Sequence, residues 1–240
     1  MNDVVNCVLS LDLFPSQDII SAVRRMNYYY IACKYVTPLF KIFYNYRIVG
    51  GENLLQAAGD GRVVVCTTHS SDLGGMIVGM AVRMVLETDP FVVVNRKFRR
   101  NRLTNFFLKK MNIIWIMGND MLGNYSALKQ IRNILTKQGS EVIIIAPQGT
   151  YNKPIPDDIR FRQGFAIPCI QAARAGAIVS VVPAVDVGAT YKGIPAIGRR
   201  IRAVFAEPMM VRKNEKRTAL TRKLETAIKQ LMLKGDRLLF

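Results

Sequence analysis

Six short apolar runs rich in β-branched residues recur along this chain with stretches of helical length between them, and that alternation narrows the fold more than any other feature. The runs are Val63–Thr67, Phe91–Asn95, Ile113–Met117, Val142–Ala146, Ile178–Pro183 and Ile201–Ala206. Continuous rather than alternating hydrophobicity suits strands covered on both faces, as strands of a parallel sheet are. Leu73–Glu87, Phe98–Met111, Tyr125–Gln138 and Phe165–Ala175 have helical length and spacing. Lys216–Lys234 spaces Leu224, Ile228 and Leu231 among basic residues, the pattern of an amphipathic terminal helix. The order predicts an α/β sheet with helices on both faces.

At 240 residues, half of them hydrophobic, the chain can bury a large single core, and wholesale disorder is excluded. The expected division is an N-terminal helical arm over residues 1–45 and one α/β domain over residues 46–240. Thirty-four Lys and Arg against 17 Asp and Glu leave a net charge of +17, which points to anionic partners: phospholipid surfaces, phosphorylated substrates, acidic proteins or RNA. Cys7, Cys33, Cys66 and Cys169 are widely separated and form no CxxC pair. With one histidine in the chain, no metal site is expected, and the simpler inference is a reducing compartment. The start Met1-Asn2-Asp3 lacks the basic segment of a secretory signal. From Asn27 to Tyr46 the chain is rich in tyrosine and phenylalanine but carries Lys34, Lys41 and Pro38. That mixture suits the headgroup boundary of a membrane better than its centre, as an interfacial helix pair, and equally suits a helix packed across the domain.

The one histidine, His69, follows the run Arg62–Thr68 and opens His69-Ser70-Ser71-Asp72-Leu73-Gly74-Gly75. A buried strand delivering a histidine to its end, just before a helix, presents a group able to take a proton near neutral pH; the alternative is a histidine that caps the helix or fills the core. Downstream, Pro147-Gln148-Gly149-Thr150-Tyr151-Asn152-Lys153-Pro154 follows another strand and is crowded with turn residues. Gly149 permits close backbone approach to a ligand and Thr150 offers a hydroxyl. Arg160-Phe161-Arg162-Gln163-Gly164-Phe165 is a basic loop entering a helix, a pattern that serves either an anion site or a solvated surface. The densest charge, Arg96-Lys97-Phe98-Arg99-Arg100-Asn101-Arg102 followed by Lys109-Lys110, fits the phosphates of lipid headgroups or of RNA. No Walker loop, dinucleotide fingerprint, zinc finger or RNP motif occurs in the sequence.

Taken in order, these pieces resemble the 1-acyl-glycerol-3-phosphate acyltransferase family of glycerolipid acyltransferases. Tyr46-Arg47-Ile48-Val49-Gly50-Gly51-Glu52-Asn53-Leu54 is similar to its first strand and G-x-E-N-L turn, and Thr68-His69-Ser70-Ser71 to its N-H-x-S-x-x-D block. Ala146-Pro147-Gln148-Gly149-Thr150 is similar to F-P-E-G-T-R, Gly164–Ala184 to a helix-to-strand segment ending in V-P-V, and Ile201–Pro208 to a late G-E-P strand. The resemblance spans about residues 46–234. It implies a glycerolipid-acyltransferase-like α/β fold, a mixed sheet flanked by helices, and the transfer of a fatty acyl group from acyl-CoA or acyl carrier protein to a lysophospholipid such as 1-acyl-glycerol-3-phosphate. No cofactor beyond that donor is implied. His69 matches the general base. The block's aspartate position, five residues later, is Gly74, so the resemblance leaves Asp72 to supply the orienting carboxylate. Gln148 stands at the family's glutamate and Tyr151 at its arginine, while Met117 and Gly118 stand at the aspartate and arginine of the second block. Gln148, Gly149, Thr150, Lys153, Arg160 and Arg162 are then the expected substrate-binding residues.

The expected setting is peripheral or monotopic association with an anionic membrane in a reducing compartment, an organelle interior included. The altered motif positions favour a second reading: a catalytically inactive acyltransferase-like scaffold that binds RNA or acyl carrier protein, for example as an assembly factor in an organellar ribonucleoprotein.

Overall fold

The structure, a computed structural model, describes residues 37–68, 71, 73–97, 108, 111–117, 121–137, 139, 141–148, 159–189, 193 and 195–237. The N-terminal arm up to residue 36 and, apart from positions 108 and 111, the helix expected over 98–111 lie outside them. In chain order the helices are α1 (Thr37–Tyr44), α2 (Gly51–Asp60), α3 (Gly74–Leu86), α4 (Met121–Thr136), α5 (Ala166–Arg174) and α6 (Arg217–Arg237). The strands are β1 (Arg47–Val49), β2 (Arg62–Thr67), β3 (Phe91–Asn95), β4 (Asn112–Ile116), β5 (Val142–Ile145), β6 (Val179–Val187), β7 (Arg202–Phe205) and β8 (Met209–Met210).

These eight strands form one sheet in the order β1-β7-β6-β2-β5-β3-β4, with β8 paired to β6 beside β7. β2 runs parallel to both of its neighbours, β5 and β6. β3 is parallel to β4 and β5, and β1 to β7. The antiparallel pairs are β7 and β8 with β6, which make the sheet mixed, as the resemblance implies.

Alternate residues of the central strands feed two cores. Val63, Val65, Val182 and Ala184 pack with Leu54, Ile77, Val78 and Val82 under α1, α2 and α3. Val64, Cys66, Val181 and Val185 pack on the other face with Ile131, Leu135, Ile170, Leu224 and Ile228 of α4, α5 and α6. Both faces of β2 and β6 are therefore covered, which is why these strands read as unbroken apolar runs. Each fully buried Leu or Ile contributes about 1.5–3 kcal/mol. Helix α1 joins the first core through Phe40 and Tyr44, and its last carbonyl groups accept from the backbone N–H of Gly198 and Ile201.

Two local features fix the frame around the sheet's end. Gly50 has φ +76°, and a Cβ there would lie 2.1 Å from the Phe205 carbonyl oxygen. Asn53 donates its side-chain N–H to that same oxygen at 3.1 Å. The Gly50-Gly51-Glu52-Asn53-Leu54 turn is thus a structural clasp that starts α2 against the end of β7, and α2 itself is a helix the apolar pattern does not announce. The second feature is the length of β6. The sequence predicts a strand ending at Pro183, yet β6 continues to Val187. The Pro183 carbonyl accepts from Ala206 N–H at 2.9 Å, so its missing N–H faces the short gap between the paired stretches of β8 and β7, where no ladder donor is required.

Candidate active site

In an open sheet of parallel strands, ligands lie outside the carboxyl ends, where chain connections diverge. β2, β5 and β6 run in the same direction, with Cys66 opposite both Ile145 and Pro183. Their carboxyl ends therefore deliver three segments to one edge: Thr67-Thr68 at the end of β2, Ala146-Pro147-Gln148 after β5, and Asp186 in the last residues of β6.

Thr68 and Ser71, on the path from β2 to α3, are buried, 2% and 1% exposed. The Ser71 hydroxyl donates to Asp186 Oδ2 at 2.6 Å, a short bond of the kind a carboxylate acceptor makes. Gly74 N–H donates to the Ser71 carbonyl at 3.3 Å and Ile77 N–H to the Leu73 carbonyl at 2.8 Å, which starts α3. Asp186 Oδ1 lies 2.7 Å from the point where a Cβ at position 74 would stand. A side chain at 74 would crowd this carboxylate where it now stands, at the first turn of α3, where the partial positive charge of the helix favours an anion. Residue 74 is the position at which the resemblance expects an aspartate; the structure fills the adjoining space with the carboxylate of Asp186. Sequence spacing gives no hint of this residue, because its partner Ser71 is 115 positions away in the chain.

The other half of the edge is basic. Ile159 and Phe161 are buried, and Phe161 N–H donates to Glu225 Oε1 of α6 at 2.7 Å. Arg162 N–H donates to the Pro147 carbonyl at 2.9 Å, tying this loop to the segment that follows β5. Alternation then leaves Arg160 and Arg162 at exposed positions, close in the chain to anchored backbone, with Gln148 half-buried beside Pro147. At the ends of β3 and β4, Arg96 Nη1 reaches Met117 Sδ at 3.2 Å, and Met117 N–H donates to Asn124 Oδ1 of α4 at 3.0 Å. A guanidinium thus stands beside one of the two second-block positions that lack a charge of their own.

Of the expected site residues, Gln148, Arg160 and Arg162 are brought to this edge. His69, Asp72, Gly149, Thr150 and Lys153 lie outside the described residues, as do Gly118, Tyr151 and the cations between Phe98 and Lys110. Neither described cysteine is suited to nucleophilic work. Burial holds the Cys169 thiol up at about 12, and burial together with the neighbouring Cys169 raises that of Cys66 well above its ordinary value.

Residues 45–187 match the sequence model of a family described as Acyltransferase. The fold is similar to the crystal structure of PlsC, the 1-acyl-sn-glycerophosphate (LPA) acyltransferase from Thermotoga maritima, with a TM-score of 0.59 and 15% identity. That likeness covers 88% of this chain and 79% of the other. A search of curated proteins returns no match.

Proposed function

The chain belongs to the acyltransferase family, and on that premise we propose that it moves a fatty acyl group from an acyl thioester to the free hydroxyl of a lysophospholipid such as 1-acyl-glycerol-3-phosphate. The observation that carries this reading is the convergence at one sheet edge of the segment leading to the sole histidine, a carboxylate, and a loop bearing two arginines. His69 takes the proton from the acceptor hydroxyl while that oxygen attacks the thioester carbonyl. The tetrahedral oxyanion that forms is met by backbone N–H groups near Gly149 or Gly74. Its collapse breaks the C–S bond, and the thiolate leaves with the proton from the imidazolium. Asp72, three residues after the histidine, is the carboxylate that sequence alone offers to orient the ring. Gln148, Gly149, Thr150, Lys153, Arg160 and Arg162 line the acceptor side, the cations facing its phosphate. The donor is acyl-CoA or acyl carrier protein, the latter acidic and drawn to a +17 surface.

Action on such substrates calls for contact with a membrane surface. No helix among the described residues is long and apolar enough to cross a membrane. Helix α1, however, exposes Leu39, Ile42 and Phe43 next to Lys41, and Ile197 is 75% exposed one residue before Gly198, which bonds to Phe43. Apolar side chains with flanking cations suit peripheral seating at an anionic headgroup layer.

The test is transfer of a labelled acyl group from acyl-CoA and from acyl carrier protein to lysophosphatidate by purified protein. His69→Ala is expected to lower turnover at least a thousandfold without loss of fold. Absence of turnover with every donor sinks the enzyme reading. Gly74, Gln148 and the excess positive charge then favour the second reading, an inactive scaffold that binds RNA or acyl carrier protein, and RNA would co-purify with it in a steeply salt-dependent way.

A further inference from the structure

We propose that the cleft between α5 and the start of α6 holds the nucleotide of the acyl donor, and that the donor is therefore an acyl-CoA. This rests on the acyl-transfer reading above and deepens it by choosing between its two donors.

The cleft has a volume of about 610 Å³, in the range of sites that enclose a small ligand. Gln163, Ile167, Ile170, Gln171 and Arg174 line one wall. Steps of three and four residues mark one face of a helix, so the cleft follows α5 and the turn Gln163–Phe165 before it from end to end. Lys216, Arg217 and Thr218, at the start of α6, line the other wall. Ile170 is buried and Ile167 half-buried, an apolar strip among exposed polar side chains. Among the described residues that line the cleft, Glu215 is the one carboxylate, and it is bound to Lys223 Nζ at 2.7 Å. Arg174, Lys216 and Arg217 therefore leave the cleft positive. Arg174 Nε donates to the Lys213 carbonyl at 3.2 Å, which holds the guanidinium against the loop leading to α6 and leaves its terminal N–H groups for an anion.

Chemistry and position together choose the donor. The nucleotide end of CoA offers phosphates to the three cations and a flat base to the apolar strip. Its pantetheine arm offers two amides to the side chains of Gln163 and Gln171. Gln163 directly follows Arg162, whose N–H is bonded to the Pro147 carbonyl at the candidate active edge. Arg174 lies at the other end of α5, a helix of nine residues and so about 13.5 Å long. The pantetheine arm has about the span of four extended residues, roughly 14 Å. A nucleotide seated at the Arg174 end thus lays its thioester at the edge where the acceptor is held. An acyl carrier protein brings the same arm on a protein surface and has no nucleotide to fill the cleft.

Binding is read first, without turnover. Full-length protein is titrated by calorimetry with CoA, with the free nucleotide of CoA (an adenosine bisphosphate) and with inorganic pyrophosphate. CoA and the nucleotide are expected to bind at one site, and pyrophosphate at least about tenfold more weakly. Arg174→Ala and Lys216→Ala are each expected to weaken CoA about tenfold, and Arg217→Glu to weaken it further. Arg217→Glu places an acid in the first turn of α6, where a helix accepts one, so its denaturation midpoint should hold and separate lost binding from lost fold. In the acyl-transfer assay the KM for acyl-CoA should rise by the same factors, with kcat and the KM for lysophosphatidate nearly constant. An acyl-pantetheine donor, which carries no nucleotide, should not distinguish these variants from the parent. Three results overturn the proposal and leave acyl transfer standing: a nucleotide that does not bind, pyrophosphate that binds as tightly as CoA, or variants that raise the KM for acyl carrier protein and not for acyl-CoA. Nucleotide binding that these variants weaken, in a protein that transfers no acyl group from any donor, supports the cleft as a nucleotide site and removes acyl transfer as its purpose.

Discussion

The two halves of the sheet's carboxyl edge are built on opposite principles. On the β2–β6 half, the polar groups are drawn inward: Ser71 is 1% exposed, its hydroxyl is bound at 2.6 Å, and Asp186 is admitted to a helix start by a missing side chain at position 74. On the β5–β3–β4 half, the backbone is anchored and the charge is exposed, with Phe161 and Ile159 buried and Arg160 and Arg162 projecting between and beyond them. A group that must exchange a proton at one fixed point gains from the first arrangement, because a rigid, partly dehydrated setting strengthens each interaction. A group that must greet a large anionic ligand gains from the second, because long cationic side chains can adapt while remaining hydrated. The contrast predicts that damage to the two halves will appear in different measurements.

The largest effect expected from breaking it is on the anchor of the basic half. Phe161→Ala empties a buried aromatic position against α6 and is expected to cost about 3–5 kcal/mol, read as a fall in denaturation midpoint with an unchanged m-value. A loss below about 1 kcal/mol would mean that the loop is not held by its apolar residues. Next comes the acid half. Ser71→Ala removes the donor to a carboxylate, a bond worth about 1.5–3 kcal/mol, and is expected to lower kcat about tenfold or more while KM changes little. A rise in KM at constant kcat would transfer Ser71 from proton chemistry to substrate binding.

How much of this was legible in the chain follows from the range of each interaction. Each of the six apolar runs overlaps a strand, because strands covered on both faces announce themselves by local composition. The arginines of the basic loop were legible for a similar reason: cations gathered just before a helix are a local pattern. Helix α2 was not, since Gly51-Glu52-Asn53-Leu54-Leu55-Gln56-Ala57-Ala58-Gly59-Asp60 is flanked by glycines and buries just Leu54 and Ala57, too few positions to mark a 3.6-residue period. Asp186 was hidden twice. Pro183 suggests the end of a strand that in fact runs four residues further, and the acid meets Ser71 from 115 positions away. The pairing of Ser71 with Asp186 follows from the order β6-β2-β5, which local sequence does not reveal.

The smallest effect on stability tests the comparison most sharply. Arg160 and Arg162 sit on backbone held by Ile159, Phe161, Glu225 and Pro147, so truncating either side chain leaves the anchors in place. Arg160→Ala and Arg162→Ala are each expected to change stability by no more than about 0.5 kcal/mol. Against a phosphate-bearing acceptor, however, each removes a charge-assisted contact, and KM is expected to rise about tenfold with kcat nearly constant. The difference should shrink as salt is raised, since exposed charges lose their reach at high ionic strength, and it should be small for a neutral acceptor such as a monoacylglycerol. The decisive comparison is with Ser71→Ala in the same assay. If the arginine variants lose kcat rather than affinity, the basic loop acts on the reacting atoms, and the division of the edge into a proton-handling half and an anion-holding half no longer stands.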